Sequence, residues 1–378
     1  MTSSEKPDWA RADSLLETTR SDPHAVSVAE LVEVMVRGTP EARTVAAEAY
    51  AVVVAARPTV AASVASELRD SIADGDEDVR AGAARTVAHL ADDDPEPFRE
   101  TVEPLLPMLE SPVELGREQA VFAVLALSRR FPIDVEPGFS ALLRLLEAET
   151  EPVEREPHIP GREPNPSGRE FGHARAENDV VRFAAARTLR NVATERPETA
   201  VEAVAHFGPL LDDRNADVRA TACEVFAVVA EERTPAVRPQ LGKLVELLVS
   251  DPEHPVPWKA ASALAELTDE YPEAFADAVV GDADELALFL DDPDPDVRGL
   301  GVAFLSYLAE YHPEAVERAS GPLRTLLTDE NPLIRANAVR TLRTANAVSP
   351  ADLREVAEND PDPDVRDVAA TAVRRLRR

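Results

Sequence analysis

The side chains best suited to chemistry in this chain are carboxylates and arginines set in a short recurring string. Asp292-Pro-Asp-Pro-Asp-Val-Arg298 groups three carboxylates with a guanidinium, and the same seven residues return at 360–366. Closely spaced carboxylates can share acid–base work when a cleft perturbs them differently. Looser copies end at Arg80, Arg219 and Arg335, however, and recurrence favours a structural role. Pro and Asp favour turns, Asp or Asn caps the free N–H groups of a new helix, and carboxylates suit its positive end. Each copy therefore reads as a turn that launches a helix.

Other reactive groups are sparse. None of the seven histidines is paired with another at ligand spacing, and none is followed by Glu. His158 and His173 share one Pro- and Gly-rich stretch, which falls short of the ligand count of a real metal site. Cys223 is the only cysteine, so no intrachain disulfide or cysteine zinc cluster can form. It lies on an apolar helix face, where a buried inert thiol is the expectation. No phosphate-binding glycine loop or Gly-x-Ser-x-Gly nucleophile motif is present. No catalytic residue, metal or cofactor is assigned, and the chain is read as no enzyme.

The elements that carry these residues are helices. Taking the Arg of each launching turn as an anchor gives Arg43, Arg80, Arg117, Arg182, Arg219, Arg298, Arg335 and Arg366, with Pro257 in the place of one Arg. Successive anchors lie 37, 37, 65, 37, 38, 41, 37 and 31 residues apart. A period near 37 marks a helical-repeat array. Three residues after each anchor comes a small side chain, as at Ala46, Ala83, Ala120 and Gly301; seven after comes a larger apolar one, as at Val87, Val124 and Phe226. Those offsets lie on one helical stripe. A Leu-rich amphipathic segment precedes each turn, for example Leu241-Gly-Lys-Leu-Val-Glu-Leu-Leu248. Each unit is thus helix A, an acidic turn and helix B, and such hairpins must stack to bury their apolar faces.

This pattern, a Leu-rich helix followed by DPDPDVR and a helix such as Val79-Arg80-Ala-Gly-Ala-Ala-Arg-Thr-Val87, resembles the HEAT-repeat family, especially the short HEAT-like repeats of phycobilisome lyases. The resemblance covers about residues 25–378. It implies an all-α, right-handed α-α superhelix (a HEAT/armadillo-like solenoid) of about nine helical hairpins, with helix B lining a concave face. Residues 1–22 read as an N-terminal cap and 23–378 as the solenoid. The resemblance also implies an Asp–Arg ladder between repeats, assigned to Arg80, Asp217, Arg219, Asp296, Arg298, Arg335, Asp364 and Arg366, and interrupted at Pro257. The His-Glu motifs by which HEAT-like deoxyhypusine hydroxylases bind iron are missing.

Charge narrows the partners. The chain holds 40 Lys and Arg against 71 Asp and Glu, a net −31, and Lys occurs only at Lys6, Lys243 and Lys259. This resembles the acidic proteins of extreme halophiles, in which carboxylate surfaces maintain solubility in concentrated salt. A nucleic acid gains little from such a surface. There is no basic-then-apolar leader pattern, and the longest apolar run, 49–56, is far short of a membrane span. A cytoplasmic monomer is the expectation.

The spacing of 65 exposes an insertion of about 28 residues in the fourth repeat, roughly 150–177, read as a loop. Beside it, Phe122 and Leu125 take positions five and eight after their anchor, which should face the concave side, and Phe183 follows Arg182. Apolar groups there need a cover, either the insertion or a partner. Arg182, Arg187 and Arg190 supply cations alongside. The reading is a non-catalytic scaffold or adaptor that takes a protein or peptide partner through these residues. Two alternatives are a lyase-like or ligand-binding role of the phycobilisome-lyase type, and phosphate or nucleic-acid binding through local Arg clusters such as Arg340 and Arg343.

Overall fold

The computed structural model describes residues 8–148 and 168–376. Among them all regular structure is helical, and nine helix pairs can be traced in the order expected of an all-α solenoid. The chain divides into two compact units, Met1–Pro197 and Glu198–Arg378. The His158 and Ile159 region of the insertion lies outside the described residues.

Unit 1 runs through α1 (Asp8–Ser21), α2 (Val28–Arg37), α3 (Pro40–Ala56), α4 (Val60–Ile72), α5 (Glu77–Asp93), α6 (Val102–Leu105), α7 (Glu114–Ser128), α8 (Pro132–Val135), α9 (Phe139–Ala148) and α10 (Gly168–Glu195). The helices after each acidic turn, α3, α5, α7 and α10, are the B helices. The segment expected as a cap is α1, which buries Leu15 and Leu16 and packs along α3 as a further B helix would. α7 packs beside both α5 and α10. α3 and α5 scarcely touch, because α5 leans onto α2 instead. Gly82 permits that approach: a Cβ there would collide with the Val36 carbonyl oxygen. Thr86 Oγ1 then donates to Met35 O at 3.2 Å.

Unit 2 contains α11 (Pro197–Glu202, whose first residue closes unit 1), α12 (Val204–Phe207), α13 (Ala216–Val237), α14 (Leu241–Ser250), α15 (Pro255–Glu270), α16 (Pro272–Val279) and α17 (Ala283–Leu288). It continues with α18 (Pro295–Tyr311), α19 (Ser320–Thr325), α20 (Pro332–Thr344), α21 (Pro350–Asn359) and α22 (Pro363–Leu376). α13 spans a kink at Arg233, whose φ of −153° breaks the helix just before Pro235 opens the next A segment. α20 stops early because Asn346 adopts φ 53° and Ala347 N–H donates to Leu342 O at 2.8 Å. That left-handed C-cap removes about a turn and accounts for most of the shortfall in the final spacing of 31.

The periodic stripe forms the core. Ala46, Ala83, Ala120, Ala185, Ala260, Ala338 and Ala369 are wholly buried, as are Val87, Val124, Leu189, Phe226, Leu264, Leu305 and Leu342. Gly301 marks a close crossing in unit 2, where a Cβ would meet Phe289 Cβ at 2.8 Å. Phe98, Phe207, Phe226, Phe275 and Phe304 are fully buried, and truncating one such ring to Ala costs about 3–5 kcal/mol.

Two sequence expectations shift. Several A helices are broken rather than continuous: Val102–Leu109 divides into α6 and a 3₁₀ segment, Leu106–Glu110. Pro104 and Pro107 lack the N–H groups a continuous α-helix would use. The C-terminal part of the stretch read as a loop is helix, since α10 begins at Gly168. Phe171 and His173 therefore fall on helical backbone. The run Arg169–Glu177 has few helix breakers after Gly172, and it joins an established helix that carries no new nucleation cost.

Candidate interaction surface

The acidic turns are built from two separate side-chain layers. The residue four before each anchor Arg is the N-cap: Asp76 accepts from Asp78 N at 2.9 Å, Asn215 from Asp217 N at 2.8 Å, Asp294 from Asp296 N at 2.9 Å and Asn331 from Leu333 N at 2.9 Å. The residue six before the anchor is a second acceptor, and it also receives the Arg of the preceding repeat. In unit 2 the Arg219 Nε and Nη2 groups donate to Asp251 at 2.7 and 2.9 Å. Arg298 repeats this on Asp329 at 2.7 and 3.2 Å, and Arg335 on Asp360 at 2.8 and 2.8 Å. Nη1 of each Arg donates back to a carbonyl of its own turn: Asp213 O, Asp292 O and Asp329 O, at 2.7–2.9 Å.

The Asp partners are thus Asp251, Asp329 and Asp360, while Asp217, Asp296 and Asp364 stand exposed in the first helical turn. The physical reason is direction. An Asp two residues before the Arg points outward beside the helix dipole, whereas the Asp that opens the turn faces the previous repeat. Pro257 supplies no guanidinium, so no equivalent pair forms there. Arg80 pairs with Glu77 of its own helix, because the facing position is Ser111; Arg366 donates to Asp360 O and Pro361 O. The Arg335 guanidinium holds the Asp360 carboxyl below the usual carboxylate range, against the upward push of burial. For Asp251 and Asp329 burial is the largest influence and pushes upward, yet the bonds from Arg219 and Arg298 bring the net shift down.

The residues expected to contact a partner gather on α7 and α10. Phe122 and Leu125 of α7, with Phe183, Arg187 and Arg190 of α10, are all half-buried. The Arg187 guanidinium carbon sits 5.9 Å from the Phe183 ring centroid, a cation–π contact that keeps the cation beside the apolar group. Asn191 Nδ2 donates to Ser128 Oγ at 2.9 Å and ties α10 to α7 next to Leu125, whose carbonyl accepts from the same hydroxyl at 2.8 Å. Arg190 donates to Asn191 Oδ1 at 3.2 Å. Arg182 does not belong to this surface, being only 2% exposed.

The remaining candidates are accounted for by packing. Cys223 is wholly buried, and burial pushes its thiol up to about 12. Trp258 is half-buried, edge-on to Phe289 with centroids 6.1 Å apart. His312 Nε2 lies 2.7 Å from Asp277 Oδ1. Among the described residues no group of three His, Cys, Asp or Glu side chains is placed to hold a metal ion, and no helix is long and apolar enough to cross a membrane. Arg340, Arg343 and Arg375 line a groove of about 660 Å³ between α20 and α22, but Glu310 and Asp367 share its walls. Sequence reasoning passed over Arg85, although it occupies position five after its anchor, the same offset as Phe122 and Arg187.

Comparison with known proteins agrees with this architecture. Residues 283–374 match the family model of HEAT repeats, and residues 179–227 match that of a HEAT-like repeat. Within those two segments the chain is similar to HEAT-type repeats. A crystal structure of an engineered protein is similar over 96% of this chain and 87% of its own, at 19% identity and a TM-score of 0.59. A designed armadillo repeat protein aligns with 64% of this chain and 98% of its own, at 20% identity and a TM-score of 0.49. At 19% identity the likeness to the engineered protein is one of fold. No curated protein matches in sequence.

Proposed function

We propose that this HEAT-type repeat chain is a non-catalytic scaffold or adaptor, and that it takes a protein or peptide partner on the α7–α10 face. Repeat arrays present long, regular side-chain surfaces, which suits them to extended partners. One observation carries the choice of face: three large apolar side chains, Phe122, Leu125 and Phe183, are half-buried on α7 and α10, with Arg187 over the Phe183 ring, in a chain of net charge −31. Aromatic and Arg side chains grouped in this way are the residue types that dominate binding energy at interfaces. Arg187 and Arg190 favour a partner that brings carboxylates to the rim. The arginine groove at α20 and α22 supports a phosphate reading less well, because its own carboxylates neutralise it.

The test is affinity capture at high salt from extract of the native cells, using wild type, Phe122→Ser/Phe183→Ser and a chain lacking residues 150–167. A partner retained by wild type, and lost from the double variant, supports this face. Loss with the deletion as well assigns the insertion to the same interface. Equal recovery by all three proteins overturns the assignment.

A further inference from the structure

The cleft between α3 and α5 differs from the other grooves in its electrostatics. It encloses about 320 Å³ and its charged and titratable lining groups are Arg43, Arg85 and His89; Met35, Pro40 and Ala47 supply apolar wall, and no carboxylate lines it. The groove at Arg340 contains Glu310 and Asp367, and another at Arg69 and Arg99 contains Asp70, Glu100, Glu103 and Asp134. In a chain with 71 acidic residues, two neighbouring arginines facing a cavity without an acid require explanation.

The repeat geometry explains how they come to be there. In unit 2 an anchor Arg is consumed by the opening Asp of the following turn. The corresponding Asp for Arg43 is Asp74, but α5 is drawn onto α2 at Gly82 and Thr86, away from α3. Asp74 is left exposed, accepting from Asp76 N at 2.8 Å. Arg43 keeps its bond to the turn carbonyl, Nη1 to Gly38 O at 2.9 Å, and the rest of its guanidinium borders the cleft. Arg85 is half-buried opposite, and among the described residues no carboxylate forms an ion pair with either group. Burial and then the Arg43 charge depress the Arg85 pKa, with Glu118 of α7 opposing them. The cleft is therefore a positive, partly dehydrated spot.

We propose that the α3–α5 cleft binds a small organic oxyanion, a phosphate monoester or a carboxylate, with its charged group between Arg43 and Arg85 and its apolar body against Met35, Pro40 and Ala47. Guanidinium forks match either oxyanion through paired N–H donors. The cleft volume is at the small end of ligand pockets, which suits a compact molecule. His89, exposed at the rim, offers a further donor or acceptor. This proposal does not rest on the proposed partner-binding role of the α7–α10 face.

Isothermal titration with phenyl phosphate and with benzoate, at ionic strength held constant with sodium chloride, tests the assignment. At least one probe binds wild type saturably at one per chain. Arg43→Gln and Arg85→Gln each weaken it by roughly tenfold or more, the loss expected for a charge-assisted bond. Arg129→Gln, at an exposed arginine paired with Asp92, leaves it unchanged, and circular dichroism melts establish that the variants are folded. Should a Gln variant fail to fold, Arg85→Lys keeps the charge without the fork and gives an intermediate loss. Tighter phenyl phosphate identifies a phosphate ester as the ligand class, and tighter benzoate a carboxylate. Absence of saturable binding to wild type by both probes, or full affinity in folded Arg43→Gln and Arg85→Gln, overturns the proposal.

Discussion

Replacing Arg335 by Ala removes the most buried rung of the inter-repeat ladder. The Arg335 and Asp360 side chains are 8% and 4% exposed, and the guanidinium makes two bonds to the carboxylate plus contacts to Asp329 O and Glu330 O at 2.7 and 3.1 Å. Breaking a buried pair by deleting one partner costs about 3–5 kcal/mol. Asp360 keeps the Asp362 N–H at 2.9 Å, which places the loss near the lower end, about 3 kcal/mol. For a unit of this size that corresponds to roughly 6–12 °C in Tm. Urea melts of wild type, Arg335→Ala, Asp360→Asn and the double variant should give a coupling of about 2 kcal/mol. Hydrogen exchange should show the loss concentrated in α20 and α22. Because the Asp360 pKa is depressed by Arg335, the stability it contributes is present above the unfolded value of about 4 and is lost as pH falls through the folded value. The gap between wild type and Arg335→Ala is therefore constant above about pH 4 and narrows below it. A loss under about 1 kcal/mol, or a gap that widens in acid, refutes the ladder as a source of stability. Arg69→Ala, which breaks an exposed pair with Glu100, serves as the comparison and should cost less than about 0.5 kcal/mol.

Three further outcomes are expected. Gly82→Ala should destabilise unit 1 by about 1–3 kcal/mol through the clash with Val36 O, read by thermal or urea melts. Cys223 should resist a thiol reagent at mildly alkaline pH in the native protein and react fully once unfolded in guanidinium, since burial pushes its thiol up to about 12. Raising salt from low to molar concentration should raise Tm, because screening relieves the self-repulsion of a net −31 chain. A falling Tm would show that attractive pairs outweigh that repulsion.

The repeat architecture was legible because one residue offset recurs in every unit. Ala83, Val87 and Leu90, or Ala338 and Leu342, reveal the buried stripe without any tertiary information. The α7–α10 surface was legible in part. Offsets five and eight pick out Phe122, Leu125, Arg187 and Arg190, all of them half-buried, whereas the anchor Arg182, grouped with them on sequence, is buried. Anchor position and face position differ by a side-chain direction that a one-dimensional period does not resolve.

What the sequence alone determined was periodic and local: helices from the apolar stripe, starts from Asp and Asn caps, breaks from Pro, and the site of the insertion from one failed spacing. Tertiary structure decided which carboxylate meets which arginine. All the acidic turns look alike in sequence, yet the opening Asp, rather than the one beside the Arg, faces the neighbouring repeat. It also decided that Arg43 and Arg85 border a cleft. That outcome depends on Gly82 letting α5 approach α2, a displacement between helices that no single repeat encodes, because it arises only when successive repeats pack.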